Sequence, residues 1–420
     1  MLFPIKVRLD PVIASEYGTI IFDNRFKGKI MSLEAECIKW IWQHKKYPKF
    51  YYDKNRLSTF ISEIEYLRGV LDGYSKLFNE DDIRKIEIER LVDEAIYTSL
   101  IEGEVFKRES VRSSLQKRLD KEFDARGDEY ATATTDSLVE ILIDCSLNKK
   151  PLTLERLHGW HNCLFEHQYS KLHKINVATF RKNDDMKVVS GAIGYERVHY
   201  LAPPSDKIDE DITKLLAYCN TSDENIYIKS AITHLWFVII HPYEDGNGRV
   251  SRAITDYILS QGATFTQFKL YSISTAINSD RKGYYDILDS TTSLFKNREF
   301  DITPWIEWHL LTLKNAMKSG LKSIEYLVQK TKFWDKYREY ALNERQIKVI
   351  NKILDMGSEN FEGGISTKKY ISLTKVSKAT AVRDISQLVE FGCIKQIEGS
   401  SGRNIRYKLK GNYKLKGHNT

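Results

Sequence analysis

A mainly α-helical chain with one small β-hairpin and a compact basic unit at its C-terminal end is the fold this sequence predicts. Three observations carry the expectation. Apolar residues recur at three- and four-residue spacing through most of the 420 positions, one central stretch is strand-like around two glycines, and positive charge gathers from Ala341 onward. The expected division is 1–110, 111–325 and 326–420.

At the N-terminal end, Trp40-Ile41-Trp42-Gln43-His44 and Tyr47-Pro48 to Tyr52 form an aromatic cluster. It could stack nucleic-acid bases, but Leu57, Phe60, Ile61, Ile64, Leu67 and Leu71 offer it a continuous helical face, which favours a core. Ile83 to Glu102 reads as a helix with an apolar stripe from Ile88 to Leu100. Its end is unusual, because Glu102 stands before Gly103 where the helix dipole favours Lys or Arg. His158, His161 and His167 fall in or near an amphipathic helix (Leu154, Leu157, His161, Leu164), where packing or surface roles are favoured over metal ligation.

Thr179-Phe180-Arg181, Met186 to Gly191 and Glu196 to Tyr200 read as a hairpin turned by Gly191 and Gly194. Pro203-Pro204 breaks the chain before a helix at Ile208 to Leu216. Ile228 to Ile240 is apolar enough for a buried helix, and Val250, Ala253, Ile254, Tyr257 and Ile258 predict another that stops near Gly262. In the tail, helices are expected at Glu344 to Asp355, Ser366 to Ser372 and Lys378 to Phe391, followed by strands at Ile394 to Glu398 and Asn404 to Leu409.

The net charge of +7 is uneven. From Ala341 to Thr420 there are fifteen Lys/Arg and seven Asp/Glu, a net of +8, so the residues before Ala341 sum to −1. No run of about 18 apolar residues suits a membrane span, and Met1-Leu2-Phe3-Pro4 lacks the character of a signal peptide. The five cysteines, Cys37, Cys145, Cys163, Cys219 and Cys393, are odd in number and widely spaced, as expected of free thiols in a cytoplasmic protein.

Between the two central helices lies His241-Pro242-Tyr243-Glu244-Asp245-Gly246-Asn247-Gly248-Arg249-Val250-Ser251-Arg252. Gly246 and Gly248 permit a sharp turn with bare N–H groups at a helix N-terminus, which together make an anion cradle. Arg249 and Arg252 can grip neighbouring phosphates, Asp245 can hold Mg²⁺ beside them, and His241 can take a proton from an attacking hydroxyl. The parts suit transfer of a phosphate-linked group from a nucleotide to an alcohol. Neither the P-loop pattern nor the dinucleotide-binding glycine pattern is present.

This segment resembles the Fic family signature H-x-F-x-D/E-G-N-G-R-x-x-R, with Tyr243 in place of Phe. The resemblance implies a Fic-type helical core and transfer of AMP from ATP, with Mg²⁺, to a Ser, Thr or Tyr hydroxyl of a target protein. It makes His241 the base, Asp245 the metal ligand, and Gly246, Asn247, Gly248, Arg249 and Arg252 the phosphate binders. Thr98-Ser99-Leu100-Ile101-Glu102-Gly103 resembles the family's S/T-x-x-x-E-G/N inhibitory motif in its N-terminal placement, which implies that Glu102 pairs with Arg252. The same glutamate can instead support AMP removal, and that alternative stays open. The hairpin resembles the Fic flap, with Val188, Val189, Ser190 and Gly191 binding the target segment. The W-I-W-Q-H…P pattern is similar to an uncharacterised domain often fused to Fic cores.

The tail resembles a winged helix. Ser377 and Asp384 are expected to flank its recognition helix, with Lys378, Thr380, Arg383, Arg403 and Arg406 as candidate DNA contacts; such units also bind proteins. The rival reading of the whole chain is a nucleotide-sensing transcriptional regulator. Self-modification and a homodimer complete the expectations, and a membrane partner is not among them.

Overall fold

The computed structural model describes residues 39–78, 80–119, 130–165, 169–170, 173–190, 195, 197–262, 269–356 and 364–410. It is mainly helical. After a short turn at Ile41–Gln43, α1 (Lys54–Ser75) starts where Asp53 accepts the Asn55 N–H. Glu80, Asp81 and Asp82 complement the positive end of α2 (Glu80–Ile101), which begins three residues before the apolar pattern does. The helices α3 (Arg108–Leu119), α4 (Ala133–Leu147, capped by Thr132) and α5 (Leu154–Leu164, capped by Thr153) follow.

Two short antiparallel pairs come next: β1 (Tyr169–Ser170) with β2 (His173–Lys174), and β3 (Lys187–Ser190) with β4 (Arg197–Leu201). Then come α6 (Ile208–Thr221), α7 (Ile226–Ile240), α8 (Asn247–Ser260), α9 (Ile273–Ser279), α10 (Arg281–Thr292) and the 35-residue α11 (Thr303–Tyr337). The tail holds α12 (Glu344–Met356), α13 (Thr367–Thr374), α14 (Lys378–Glu390), β5 (Ile394–Gln396) and β6 (Tyr407–Leu409), the two strands pairing antiparallel.

Helix α7 is the centre of the molecule, with twelve of its residues buried, and its C-terminal end fixes the loop that begins at His241. One core joins Leu235 and Ile239 of α7 to Trp305 and Leu310 of α11 and to Ile41, Leu57 and Ile64. The N-terminal aromatics therefore serve as packing: Trp236 donates to the Tyr47 hydroxyl, which donates to Asp211, and Trp42 donates to the Leu201 carbonyl. A second core under α8 contains Trp160, Phe237, Tyr243, Ile254 and Tyr257.

Helix α2 lies against α3, α4 and α9, and a buried charge cluster sets its position. The Lys269 ammonium pairs with Asp256 of α8 and lies 3.6 Å from Glu94 of α2, while the Lys269 N–H donates to Glu87 at 2.9 Å. Breaking such a cluster strands a buried charge, so α2 and α8 are held in register.

Three expectations are corrected. Thr179 to Arg181 is not a strand, because the Arg181 side chain is drawn inward and bound there. The tail strands are shorter than expected. Asp384 does not flank a helix; it is the seventh residue of α14, buried, where it accepts from Arg345, Asn343 and Tyr370. The tail cluster of Phe333, Tyr337, Ile350, Ile353, Tyr370, Ile385 and Leu388 is separate from the central cores. No helix among the described residues is long and apolar enough to cross a membrane.

Candidate functional site

Helix α7 ends because His241 turns left-handed, at φ 49° and ψ 56°, while its N–H still donates to the Phe237 carbonyl at 3.0 Å. Its Nδ1 lies 3.3 Å from the Val238 carbonyl. A carbonyl only accepts, so Nδ1 carries the proton and Nε2 is the lone-pair nitrogen. Burial, reinforced by the nearby Arg181 cation and opposed by the Val238 carbonyl, holds the imidazole down at about 4. The ring is therefore neutral at pH 7 and able to accept a proton.

Arg181 supports this end of the site. It is 2% exposed and binds carbonyl oxygens: Nε to His241 at 2.7 Å, Nη1 to Asn183 at 2.5 Å, and Nη2 to Pro203 at 2.6 Å and Ile240 at 3.4 Å. Its own N–H donates to the Pro242 carbonyl. One buried cation thus ties the helix end, the turn after it and the segment leading to the hairpin.

The loop from His241 to Asn247 is built to hold its shape. The Asn247 side chain closes it, accepting from the Tyr243 N–H at 3.0 Å and donating to the Tyr243 carbonyl at 2.8 Å. The Tyr243 hydroxyl has a partner in His158 Nδ1 at 3.0 Å, and His161 stacks on its ring at 3.9 Å. His161 Nδ1 accepts the Ala178 N–H, so its Nε2 donates to the Asp245 carbonyl at 3.1 Å. Burial keeps His161 near 4 and hence neutral.

Asp245 Oδ1 accepts the Gly246 N–H at 2.6 Å. Gly246 is left-handed at φ 81°, and a Cβ there would also lie 2.9 Å from the Phe165 ring. Gly248 is needed for space instead, since a Cβ would stand 2.3 Å from Glu102 Oε1. The carboxylate of Glu102 therefore rests against the backbone at the start of α8, where an anion would bind.

Arg252 is 1% exposed and bound through Nε and Nη2 by the C-terminal end of α2 and the residue just past it. It donates to Glu102 Oε1 at 2.8 Å, to the Thr98 hydroxyl at 2.8 Å and to the Thr98 carbonyl at 2.9 Å. These contacts explain the acid at the end of α2. The cations the helix dipole wants come from other elements, Arg252 from α8 and Arg281 from α10, the latter 3.4 Å from the Leu100 carbonyl. The Tyr285 hydroxyl adds a bond to the Ile101 carbonyl at 3.2 Å.

Beyond Ile101 the chain closes a Schellman turn: Gly103 at φ 84° donates to Leu100, and Glu104 donates back to Ser99. Glu104, which sequence reasoning missed, binds Arg249 Nη1 at 2.6 Å, and the Arg249 guanidinium also lies over the Phe165 ring at 5.0 Å. The signal available was a second acid immediately past the helix-ending glycine. Among the described residues, Arg249 Nε and Arg252 Nη1 are buried with no hydrogen-bond partner. Also missed were Arg181 as a clamp and His158 and His161 as supports of the loop.

The hairpin presents Val188, Val189 and Ser190 outward, with a register shift between the two valines and Ser190 bonded across to His199 at 2.6 Å. Among the described residues β3 pairs only with β4, so its other edge is open. Gly191 lies outside the described residues. In the tail, Lys378, Arg383 and Arg406 are exposed and Thr380 is bonded to the cap residue Ser377; the Arg403 side chain lies outside the description.

Residues 151–259 match the Fic/DOC family, and residues 40–120 match a domain of unknown function, DUF4172. The chain carries a Fic/DOC family domain. Similar solved structures include a Fic family protein from Desulfovibrio desulfuricans, at 18% identity over 88% of this chain and 99% of that one, with a TM-score of 0.49. A Fic domain containing signaling protein from Bacteroides thetaiotaomicron shares 16% identity over 64% of this chain and 96% of its own, at a TM-score of 0.45. Fic-1 from Caenorhabditis elegans shares 13% identity over 64% and 74%, at 0.44. The Fic domain contains His241, the cradle and both arginines, while Glu102 and Glu104 come from the segment matching the domain of unknown function.

Proposed function

We propose that this protein is an adenylyltransferase held in check by its own Glu102. Transfer of a nucleoside monophosphate to protein is the general activity of Fic domains. The observation that carries the reading is a neutral imidazole, His241, facing the same loop as an anion cradle whose second arginine is already held by a carboxylate. In the transfer, the target hydroxyl oxygen bonds to the α-phosphorus of ATP, its proton passes to His241 Nε2, and the bond to pyrophosphate breaks. Gly248, Arg249 and Arg252 hold the phosphates, and the two partnerless buried guanidinium N–H groups fit them.

Asp245 suits a single-carboxylate Mg²⁺ site. Among the described residues no three His, Cys, Asp or Glu side chains gather to hold a metal, so phosphate oxygens would complete its shell. An ion held by Asp245 would supply positive charge beside the phosphates. The open edge of β3 is suited to a target strand.

Incubating the full chain with labelled ATP and cell lysate tests the reading. Glu102→Gly raises AMP labelling, including self-labelling, above that of the parent, and adding His241→Ala to it removes label by on the order of 10²- to 10⁴-fold. Equal labelling with and without His241 overturns it. Faster release of AMP from labelled protein by the parent than by Glu102→Gly would assign the removal reaction instead.

A second reading concerns the tail alone. A groove of about 430 Å³ between α13, α14 and the β6 hairpin is lined by Lys368, Lys369, Ser386, Asn404 and Arg406, with no acid among its described lining residues. This supports a winged-helix unit that binds duplex DNA. Full-length protein then binds a mixed-sequence duplex with affinity that falls steeply with salt, and Lys378→Ala with Arg383→Ala weakens it. No binding at low salt rejects the reading.

A further inference from the structure

The two arginines of α8 are both occupied, by two different acids. We infer that Glu104 is a second inhibitory carboxylate, which withholds Arg249 from nucleotide phosphate as Glu102 withholds Arg252. This deepens the reading above and rests on it only in naming the anion.

Gly103 at φ 84° lets α2 end in a turn of fixed geometry, and the residues on either side of that glycine each reach one arginine. The four residues form two pairs: Glu102 with Arg252 at 2.8 Å and Glu104 with Arg249 at 2.6 Å. Arg249 is 5% exposed at its side chain, with Nε buried and partnerless and its guanidinium over the Phe165 ring. A surface ion pair would be worth little, but this cation is desolvated and one of its N–H groups is left unsatisfied. A phosphate group offers several oxygens and can accept from Nε as well as Nη1, whereas Glu104 accepts from Nη1 alone.

Glu104 is the weaker of the two locks by construction. Its side chain is 38% exposed, against 30% for Glu102, and unlike Glu102 it does not lie against Gly248. Removing it frees one phosphate donor without opening the space at the start of α8. The two acids hold separate arginines but share one turn, so the double variant reads how strongly the two locks are coupled.

The test is ATP affinity of the full chain by calorimetry, with no transfer required. Glu104→Gln binds ATP about three- to tenfold more tightly than the parent, and the Glu102→Gln, Glu104→Gln double variant binds more tightly than either single variant. Combining Glu104→Gln with Arg249→Ala abolishes the gain. Glu104→Ala behaves like Glu104→Gln, and thermal melts confirm that each variant is folded. If Glu104→Gln matches the parent while Glu102→Gln gains affinity, the inference is overturned. If ATP affinity rises and no variant transfers AMP, the second lock stands and the adenylyltransferase reading falls.

Discussion

The two sides of the candidate site are stabilised by opposite means. On the histidine side, a buried cation, Arg181, is bound by carbonyl oxygens, and His241 and His161 are kept neutral by burial. On the arginine side, the cations face the protein's own carboxylates, Glu102 and Glu104. On the histidine side the chain's own carbonyls fix the His241 ring and leave Nε2 as its lone-pair nitrogen, which in the proposed function is a proton acceptor already in place before substrate binds. On the arginine side Glu102 and Glu104 hold Arg252 and Arg249, and in the proposed function they must release them before phosphate binds. In that proposal the difference separates chemistry that is always ready from binding that is withheld.

Acid should break the histidine side first. His241 and His161 sit near 4 and His309 near 3, all lowered chiefly by burial from the ordinary 6.5. Protonation therefore favours the unfolded chain. Their stabilising contribution is complete above about pH 6.5 and is lost as the pH falls from there toward 4. Each buried neutral histidine adds up to about 1.4 kcal/mol per pH unit to that loss. Urea titrations of the parent and His241→Ala between pH 7 and 4.5 measure it, and the variant shows the shallower dependence. Identical slopes would mean that His241 is not held neutral by its surroundings.

Much of this contrast was legible in the sequence, and the reason is locality. His241, Asp245, Gly246, Asn247, Gly248, Arg249 and Arg252 lie within one loop and one helix turn, so spacing alone brought them together. At Glu102 the conflict of an acid with the helix dipole marked the residue as unusual, and only the resemblance of Thr98 to Gly103 to the inhibitory motif pointed to Arg252. Arg181 was not, because it earns its role through carbonyls of residues 60 positions away, and carbonyls have no sequence signature. His158 and His161 bond to residues 85 and 84 positions on, which periodicity cannot report. The inward turn of Asp384 depended in the same way on Arg345, 39 positions earlier in another helix. Tyr243 shows both limits together: its hydroxyl posed the question of a partner, and only the fold supplied His158.

The smallest expected effect probes the arginine side through backbone alone. Gly103 is left-handed, and a Cβ built on it meets no atom within 4 Å, so Gly103→Ala introduces torsional strain without a clash. That strain costs about 1 kcal/mol and falls on the turn that positions both acids. If the locks depend on this turn, the cost is shared between the folded chain and the closed state. AMP self-labelling then rises by up to about fivefold, less than in Glu102→Gly, while the melting temperature drops by a few degrees. The two readouts divide the cases. A lower melting temperature with unchanged labelling would show that Glu102 and Glu104 keep their arginines without help from the turn, and that the arginine side is closed by the ion pairs themselves.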